Sequence, residues 1–497
     1  MVWDPAAGTG NLTRDHTFHQ LLCSTLEKDD LARLSEQEGE MFRYDFLNPE
    51  PTAFFFEDPD ENLAPPEVTT ALKRGAAEKK KLLWLMNPPY GTANNREKGV
   101  PKTGVANTQV NQSMKSAGLG PSATQLYAQF MFQAEKMSRA FGFEETVVAL
   151  FSRPSFITSS SFRAFRDWWY PRYGYLGGFL FRASHFTGVG GRWGVSFTLW
   201  QSPGYTKDPD LMVTVKDVVG GVVVGVGEKM LYHGDDRSAS HWVRAYTGET
   251  KLAPLLSSGL KIQGSGSLPI DAFGVLVSVT NSQITSTEGV FLLSSCARNG
   301  IPITEENLRK VIAFYTARKT QPRNWVNATD EYLIPDTEIP GYDQWVDAGH
   351  VFTLADGVYN NCTALRDTWI LHNQFFWKTA ASARKNLSDA PLILEDCQRN
   401  SFDPVMAGKL QSLNLSPEAE QVMWLLDNLW VKSLGEREQF AQNHPELHLM
   451  AWDAGVYQLK HLWKDLFPTE WVELQTALKV LSNKLRPGVY TYGFLRK

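Results

Sequence analysis

Cysteine is scarce in this chain, with four in 497 residues, and no two lie at the spacing of a metal site. Such isolated cysteines are typical of reduced thiols, which predicts a cytoplasmic protein. The sequence also lacks a continuous apolar run of about 18 residues, which argues against a membrane-spanning helix. Its first residues show no basic region followed by an apolar run, which predicts the absence of a secretory signal.

A charge excess is also lacking, because the formal net charge is only −5. This excludes a protein coated in basic residues but leaves room for a local basic groove. Hydrophobic residues make up 43% of the chain and charged residues 21%, which is an ordinary composition for a folded soluble protein. The length predicts two to four domains.

The most informative stretch is Asn-Pro-Pro-Tyr at residues 87–90, which follows the apolar run at residues 82–86. The run predicts a buried strand that ends in a stiff turn, because both prolines fix φ and restrict the residue before them. In an open α/β sheet, ligands bind outside the carboxyl ends of the strands. Asn87 and Tyr90 are therefore predicted to face a ligand together.

An exocyclic amine such as that of adenine is a ligand suited to this turn. The Asn87 side-chain oxygen and the Pro88 carbonyl can both accept hydrogen bonds from the amine, which localises its lone pair for attack on an electrophile. Tyr90 can stack on the base. A base in a duplex must be flipped out to reach such a pocket. The alternative is a rigid surface turn after a core strand.

A glycine turn near the start of the chain predicts a second binding element. Asp4 to Gly10 (Asp-Pro-Ala-Ala-Gly-Thr-Gly) reads as the end of a strand, a turn and the beginning of a helix. Gly8 and Gly10 permit close backbone approach, and free N–H groups there suit an anion. Asp4 suits a cationic amine, so the methionine end of S-adenosylmethionine fits. Taken alone, the motif also fits a simple tight turn.

Two further acids follow apolar runs. Glu27 comes after the predicted strand at residues 21–26, where an acid typically binds ribose hydroxyls. Asp45 ends the next predicted strand and can accept a hydrogen bond from an adenine amine, with Phe46 against the ring. Each acid alone also fits a solvated turn, but together with the two turns they form a consistent series of strand ends.

In this order, the motifs resemble those of the amino-methyltransferases that make N6-methyladenine in DNA. The short interval between the glycine turn and Asn87 matches the arrangement called gamma, shared by type I modification subunits and type IIG enzymes. The resemblance implies S-adenosylmethionine as cofactor, double-stranded DNA as substrate, no metal, and a bacterial, phage or mobile-element origin. A specificity or nuclease subunit is a further expected partner.

The resemblance also implies roles for individual residues. The implied catalytic residues are Asn87, Pro88, Pro89 and Tyr90; the implied cofactor-binding residues are Asp4, Pro5, Ala6, Gly8, Thr9, Gly10, Glu27, Asp45 and Phe46; and Tyr90 and Phe186 are the implied stacking partners of the target base. The family carries another cofactor-binding motif before the glycine turn. We expect an upstream segment or a partner to supply that motif here.

Residues 151–204 combine arginine with aromatic residues and contain a single acid, Asp167. The arginines are Arg153, Arg163, Arg166, Arg172, Arg182 and Arg192, interleaved with Trp168, Trp169, Tyr170, Tyr173 and Tyr175. This pattern favours phosphate contact and base stacking for part of the segment. The alternative is a core of aromatic residues with an exposed basic face.

The predicted fold class is α/β, with a Rossmann-like S-adenosylmethionine-dependent methyltransferase domain followed by a mixed β-rich and helical recognition region. We expect the catalytic domain at residues 1–204, a β-rich segment at 205–300 and a mainly helical region for recognition or docking at 301–497. The stretch from Trp325 to Tyr332 is similar to one in large restriction-modification methylases, without an assignable chemistry.

The predicted function is site-specific N6 methylation of a flipped-out adenine, within a restriction-modification or phage-defence system. A methyltransferase for RNA bases or for glutamine side chains is an alternative, since these enzymes use the same turn. A non-catalytic DNA-binding subunit is another alternative. A test of S-adenosylmethionine binding distinguishes a non-catalytic subunit from the methyltransferases.

Overall fold

The computed structural model of the protein describes residues 1–34, 38–48, 64–89, 108–186, 191–207, 210–244, 248–256, 262–272, 274–278, 280–283, 290–293, 296–297, 300–356, 364–366, 369–371, 412–447 and 456–496. The chain forms two compact units. The first contains Met1–Asp235 and a returning segment, Asn324–Glu331. The second contains Asp236–Arg323 and Tyr332–Arg496.

The first unit is built on a nine-stranded sheet in the order β3-β2-β1-β4-β5-β7-β6-β8-β9. Its strands are β1 (Val2–Asp4), β2 (Leu21–Thr25), β3 (Glu40–Arg43), β4 (Leu82–Met86), β5 (Thr146–Ser152), β6 (Gly174–Arg182), β7 (Gly194–Ser202), β8 (Leu211–Val219) and β9 (Val222–Leu231). Strands β7 and β9 run antiparallel to their neighbours, and the remaining pairs are parallel. The predicted α/β class is confirmed.

The described residues of this unit also form the α-helices α1 (Lys28–Leu34), α2 (Pro66–Ala77), α3 (Gln109–Ser116), α4 (Leu126–Phe141), α5 (Ser155–Thr158) and α6 (Arg163–Trp169). Helix α4 buries most of its length, including Phe130, against one face of the sheet. It ends at Gly142, whose φ of +81° is a left-handed conformation that favours glycine. Aromatic side chains of α6, such as Trp169, join the same core.

The centre of this core is a pair of stacked indoles. Trp3 on β1 and Trp84 on β4 are opposite each other in the parallel register, with ring centroids 4.9 Å apart. Both side chains are fully buried. Their ring N–H groups donate to the hydroxyls of Ser24 and Ser138, so neither buried donor is left unsatisfied.

The second unit combines small sheets with a helical core. Its strands are β10 (Thr250–Leu256), β11 (Ile262–Pro269), β12 (Gly274–Ser278), β13 (Val290–Leu293), β14 (Cys296–Ala297), β15 (Gly300–Ile303), β16 (Ala364–Arg366) and β17 (Trp369–Leu371). Its helices are α7 (Ala239–Trp242), α8 (Leu308–Thr320), α9 (Tyr342–Ala355), α10 (Pro417–Lys432), α11 (Arg437–Asn443), α12 (Val456–Leu466) and α13 (Pro468–Thr491). Within the described ranges, no helix is both long and apolar enough to cross a bilayer.

Strands β8 and β9 lie beyond residue 204 and belong to the large sheet, where β8 pairs in parallel with β6. The functional division of the chain at residues 204 and 300 stays a prediction.

Buried polar contacts hold the returning segment, Asn324–Glu331, in the first unit. The ammonium of Lys229 on β9 lies 2.6 Å from the carboxylate of Asp330, and both side chains are buried. The carboxylate of Glu331 accepts a hydrogen bond from the Ser160 amide at 3.1 Å. The Tyr232 hydroxyl donates to the Glu331 carbonyl, also at 3.1 Å. These contacts tie the segment to β9 and to the turn after α5.

The Lys229–Asp330 pair allows a test of this attachment. Asp330→Asn leaves the Lys229 ammonium buried without its counter-ion, so we expect a loss of roughly 3–5 kcal/mol in the free energy of unfolding. The double variant Lys229→Met/Asp330→Leu replaces both charges with apolar groups and should recover most of that loss. Denaturant titration measures both effects. An unaltered stability of Asp330→Asn would contradict the buried pair.

Candidate functional site

The carboxyl ends of seven parallel strands meet at one edge of the large sheet, which we call the carboxyl edge. Strands β1 to β6 and β8 all point toward it, as the parallel pairings and the two antiparallel pairings of β7 require. Asp4 is the last residue of β1, and Asn87 directly follows β4. Because β1 and β4 are paired in parallel, with Trp3 opposite Trp84, these two predicted site residues lie at the ends of neighbouring strands.

Asp4 is a buried acid with an unused acceptor. Its side chain is 0% exposed, and Oδ1 accepts a hydrogen bond from the Ala6 amide at 3.0 Å. Oδ2 receives no hydrogen bond from any residue that the structure describes. Burial raises the pKa of Asp4 to about 7, although the Ala6 amide opposes this shift. A cationic ligand group would satisfy the second oxygen and favour the charged form.

The glycine turn has the predicted sharp geometry, with φ of +53° at Gly8 and +80° at Gly10. The helix predicted after Gly10 is absent, however, and residues 8–15 form successive turns. The amides of Thr13 and Arg14 both bond to the Gly10 carbonyl. Asn, Thr and Asp in this stretch have weak helix propensity, which explains the difference. Backbone N–H groups for an anion would therefore come from turns rather than from a helix end.

The other predicted residues of the turn surround Asp4. Pro5 is buried, whereas Ala6 and Thr9 are half-buried. The Ala7 amide bonds to the Ser24 carbonyl on β2 at 3.0 Å, which fixes the turn against the neighbouring strand. The turn is thus a rigid part of the carboxyl edge.

The three remaining residues predicted to bind the cofactor lie in different environments. Glu27 is exposed just before α1, close to the end of β2. Asp45 lies two residues beyond β3, where its carboxylate accepts hydrogen bonds from the Leu47 and Asn48 amides. Phe46 is buried in the core, and its ring stacks on Phe130 with centroids 5.2 Å apart. Roles for these residues at a cofactor stay predictions.

The Asn-Pro-Pro-Tyr turn is described as far as Pro89. Asn87 is half-buried, Pro88 is buried and Pro89 is exposed. Tyr90 lies outside the described residues. The structure therefore places the amide and both prolines at the carboxyl edge, as the apolar run at 82–86 predicts.

Phe186 belongs to a group of phenylalanines that the sequence reasoning did not connect. It contacts Phe151 at the end of β5 and Phe181 on β6, with ring centroids 6.2 and 5.3 Å apart. These rings, with Phe179, line a cavity of about 370 Å³ that Val218 and Val223 also border. The two-residue spacing of Phe179 and Phe181 places both rings on one face of a strand, and this spacing could have predicted the group.

A larger groove, of about 1010 Å³, lies elsewhere. It runs from Thr9 past His16 and His19 to Leu21 and Glu40, the first residues of β2 and β3. It thus extends toward the amino ends of the strands, away from Asn87. Its size alone does not make it the site, because the convergent polar groups lie at the carboxyl edge.

No protein-family model matches the chain. No curated protein matches it.

Several solved structures show a remote likeness. The DrdV–DNA complex determined by cryo-electron microscopy is 15% identical, with a TM-score of 0.27, over 47% of this chain and 25% of that chain. A putative class I S-adenosylmethionine-dependent methyltransferase from Listeria monocytogenes is 11% identical, with a TM-score of 0.27, over 44% of this chain and 57% of that one. The Type IIL restriction-modification enzyme MmeI in complex with DNA is 10% identical, with a TM-score of 0.35, over 98% of this chain and 70% of that chain.

The chain thus matches about a quarter of the length of DrdV.

The raised pKa of Asp4 predicts a pH-dependent stability. An unfolded Asp ionises near pH 3.9, whereas Asp4 in the folded protein ionises near pH 7. The folded state therefore holds a proton that the unfolded state has lost, and the free energy of unfolding falls as the pH rises through this interval. Asp4→Asn cannot ionise. Its melting temperature should exceed that of the wild type above pH 7, and this advantage should shrink toward pH 4.

Thermal unfolding followed by circular dichroism, in the absence of ligand, measures this difference. Asp271→Asn, at an exposed turn of the second unit, is a control for the loss of one carboxylate. An advantage of Asp4→Asn that is the same at both ends of the pH range would contradict the assignment.

Proposed function

We propose that this protein is a site-specific DNA adenine-N6 methyltransferase that uses S-adenosylmethionine. The observation that carries the proposal is that two suitable elements lie at the carboxyl ends of neighbouring strands in one sheet. A buried acid with an unused oxygen ends β1, and an Asn-Pro-Pro turn follows β4. The first element suits the cationic end of the methyl donor, and the second suits the amine that receives the methyl group.

The glycine turn and Asp4 fit the amino-acid end of S-adenosylmethionine. Oδ2 of Asp4 would accept hydrogen bonds from its ammonium group, and Gly8, whose φ is positive, would let its carboxylate approach the backbone of the turn closely. Glu27 would bind the ribose, and Asp45 and Phe46 the adenine. When bound, S-adenosylmethionine would supply the electrophilic methyl group.

The chain's own contribution at the amine is placement and hydrogen bonding. The Asn87 side-chain oxygen and the Pro88 carbonyl would accept hydrogen bonds from the adenine N6 amine and direct its lone pair at the methyl carbon. A new C–N bond would form as the S–C bond breaks, S-adenosylhomocysteine would be the leaving group, and the surplus proton would leave N6 for water. No strong general base is needed. Tyr90 and Phe186 would hold the two faces of the flipped-out base.

The proposal extends to the rest of the chain. Residues 205–300 and 301–497 would contribute to recognition of a DNA sequence or to docking of a specificity or nuclease subunit. The protein would act in the cytoplasm of a bacterium, in host defence or in the protection of mobile DNA.

The direct test is transfer of labelled methyl groups from S-adenosylmethionine to unmodified duplex DNA, with sequencing of the product for N6-methyladenine. Label at adenine within one short sequence supports the proposal. Label on RNA or protein instead favours the alternative methyltransferase classes. If the protein binds the cofactor but transfers no methyl group to DNA, RNA or protein, the result would favour a non-catalytic subunit.

Substitutions in the Asn-Pro-Pro-Tyr turn test its role in catalysis. Asn87→Ala removes one acceptor for the amine, and we expect methyl transfer to fall by about 100-fold or more. Tyr90→Ala should abolish transfer, whereas Tyr90→Phe keeps the ring and should retain activity.

Because Asn87 is half-buried at a strand end, Asn87→Ala should retain the fold and the affinity for S-adenosylmethionine. Calorimetric titration with S-adenosylhomocysteine provides that control. Wild-type rates in Asn87→Ala would contradict the assignment.

Asp4 predicts a pH dependence of cofactor binding. Only the ionised carboxylate attracts the ammonium group, so the affinity for S-adenosylmethionine should weaken as the pH falls through about 7. Asp4→Asn should bind more weakly at pH 8 and lose most of this dependence. Calorimetry between pH 6 and pH 8.5 measures both. A wild-type affinity that is constant over this range would argue against an Asp4–ammonium contact.

A further inference from the structure

The arginines of residues 151–204 separate into different environments. Arg166 is buried and donates to the carbonyls of Phe156 and Ser159, and its second terminal nitrogen lies 2.6 Å from Asp235. It is therefore a structural residue. Arg172 follows α6, where its guanidinium lies over Trp168, 5.2 Å from the ring centroid. Neither arginine is at the carboxyl edge.

Arg153 and Arg182 lie at that edge, each over a tryptophan. Arg153 directly follows β5, and its guanidinium carbon is 5.1 Å from the ring centroid of Trp193, which directly precedes β7. Arg182 ends β6, and its guanidinium carbon is 5.6 Å from the ring centroid of Trp325. An aromatic ring under a guanidinium limits its rotamers without using its hydrogen-bond donors.

Arg182 is held in place and still accessible. One terminal nitrogen lies 3.3 Å from the Asp217 carboxylate, which also contacts His185 at 2.9 Å. The Arg182 side chain is nevertheless 42% exposed. A guanidinium has five N–H donors, so a second anionic oxygen can be bound alongside Asp217.

Trp325 reaches this position because the returning segment is rigidly attached. Asn324 and Asn327 exchange side-chain-to-backbone hydrogen bonds of 2.8 and 2.9 Å, and the buried Lys229–Asp330 pair holds the other end. Gly194, the first residue of β7, permits the close approach: a Cβ there would lie 3.1 Å from the Trp325 carbonyl and 2.8 Å from the Leu180 side chain. The Trp325 indole therefore lies beside β6 and β7, although it is distant from both strands in the sequence.

We propose that Arg153 and Arg182 contact the phosphates of the DNA strand that carries the target base, and that Trp325 is a positioning residue for Arg182. This inference rests on the proposed function, which places the target amine at Asn87 on the same edge. Arginine is well suited to phosphate because its planar fork can donate two parallel hydrogen bonds. Contacts of this kind fix the position of the strand without reading its sequence.

The test is the salt dependence of DNA binding. The probe is a short duplex that carries the sequence methylated by the wild type, with S-adenosylhomocysteine present, and affinity is measured by fluorescence anisotropy at increasing KCl. Loss of one phosphate contact reduces the slope of log K against log salt by about 1. We expect this reduction for Arg182→Gln and for Arg153→Gln.

Arg172→Gln is a matched control. Arg172 lies over a tryptophan at a similar distance, is 33% exposed and has an acidic neighbour, Glu135, at 3.9 Å. The Arg172→Gln substitution removes the same charge from the same unit, but not at the carboxyl edge. Its slope of log K against log salt should therefore equal that of the wild type.

Trp325 is tested by two substitutions. Trp325→Leu removes the ring, so the slope should fall toward that of Arg182→Gln, while Trp325→Phe retains a ring and should restore the wild-type slope. Melting temperatures of both variants show whether the fold is retained. A purely structural role would lower stability in Trp325→Leu without changing the slope, and this result would overturn the positioning role.

The outcomes separate this inference from the proposed function. If the wild type methylates DNA but Arg182→Gln has an unchanged slope, or the same change as Arg172→Gln, the phosphate contact is overturned and methyl transfer stands. If the wild type neither methylates nor binds duplex DNA, the proposed function is overturned and the phosphate contact with it.

Discussion

The stacking of Trp3 on Trp84 is the contact on which the site depends. The two indoles lie on the central strands β1 and β4, and a slip of one residue in either strand would turn its indole to the opposite face. Because the opposite face packs against the smaller side chains of Val2, Leu21 and Cys23, a slip would lose the stack and overpack that face, so packing specifies the register. Since both strands run in the same direction, that register also specifies where Asp4 and Asn87 emerge. Packing deep in the core thus determines where the candidate site residues lie.

Much of this sheet could be predicted from the sequence, because its central strands are short apolar runs bounded by turn residues. The runs at 82–86 and 146–151 match β4 and β5 closely. The hairpin of β8 and β9 shows why other features could not be predicted. Its valines indicate strands, but the parallel pairing of β8 with β6 depends on long-range contacts that no local pattern encodes. The turns after Gly10 show the converse, where weak local propensity outweighed the helix that a fold of this class leads one to expect.

The candidate site divides in the same way. Asp4 and Asn87 were accessible to sequence reasoning because each directly ends or follows an apolar run. Trp325 was not, since its contact with Arg182 joins residues far apart in the chain. The charge pattern of residues 151–204 also could not distinguish Arg166, which is buried, from Arg182, which is partly exposed. Burial, rather than composition, decides which arginines can meet a ligand.

The returning segment has a consequence for biosynthesis. The first unit receives Asp330 and Glu331 only after the ribosome has also made residues 236–323, which belong to the second unit. Until then Lys229 has no buried counter-ion, and the Ser160 amide lacks its acceptor. The sheet therefore cannot reach its final stability until residues 324–331 have been made. A fragment that ends at residue 235 would resemble this nascent intermediate, so a fragment that reproduces the first unit would need residues 324–331 joined back to it.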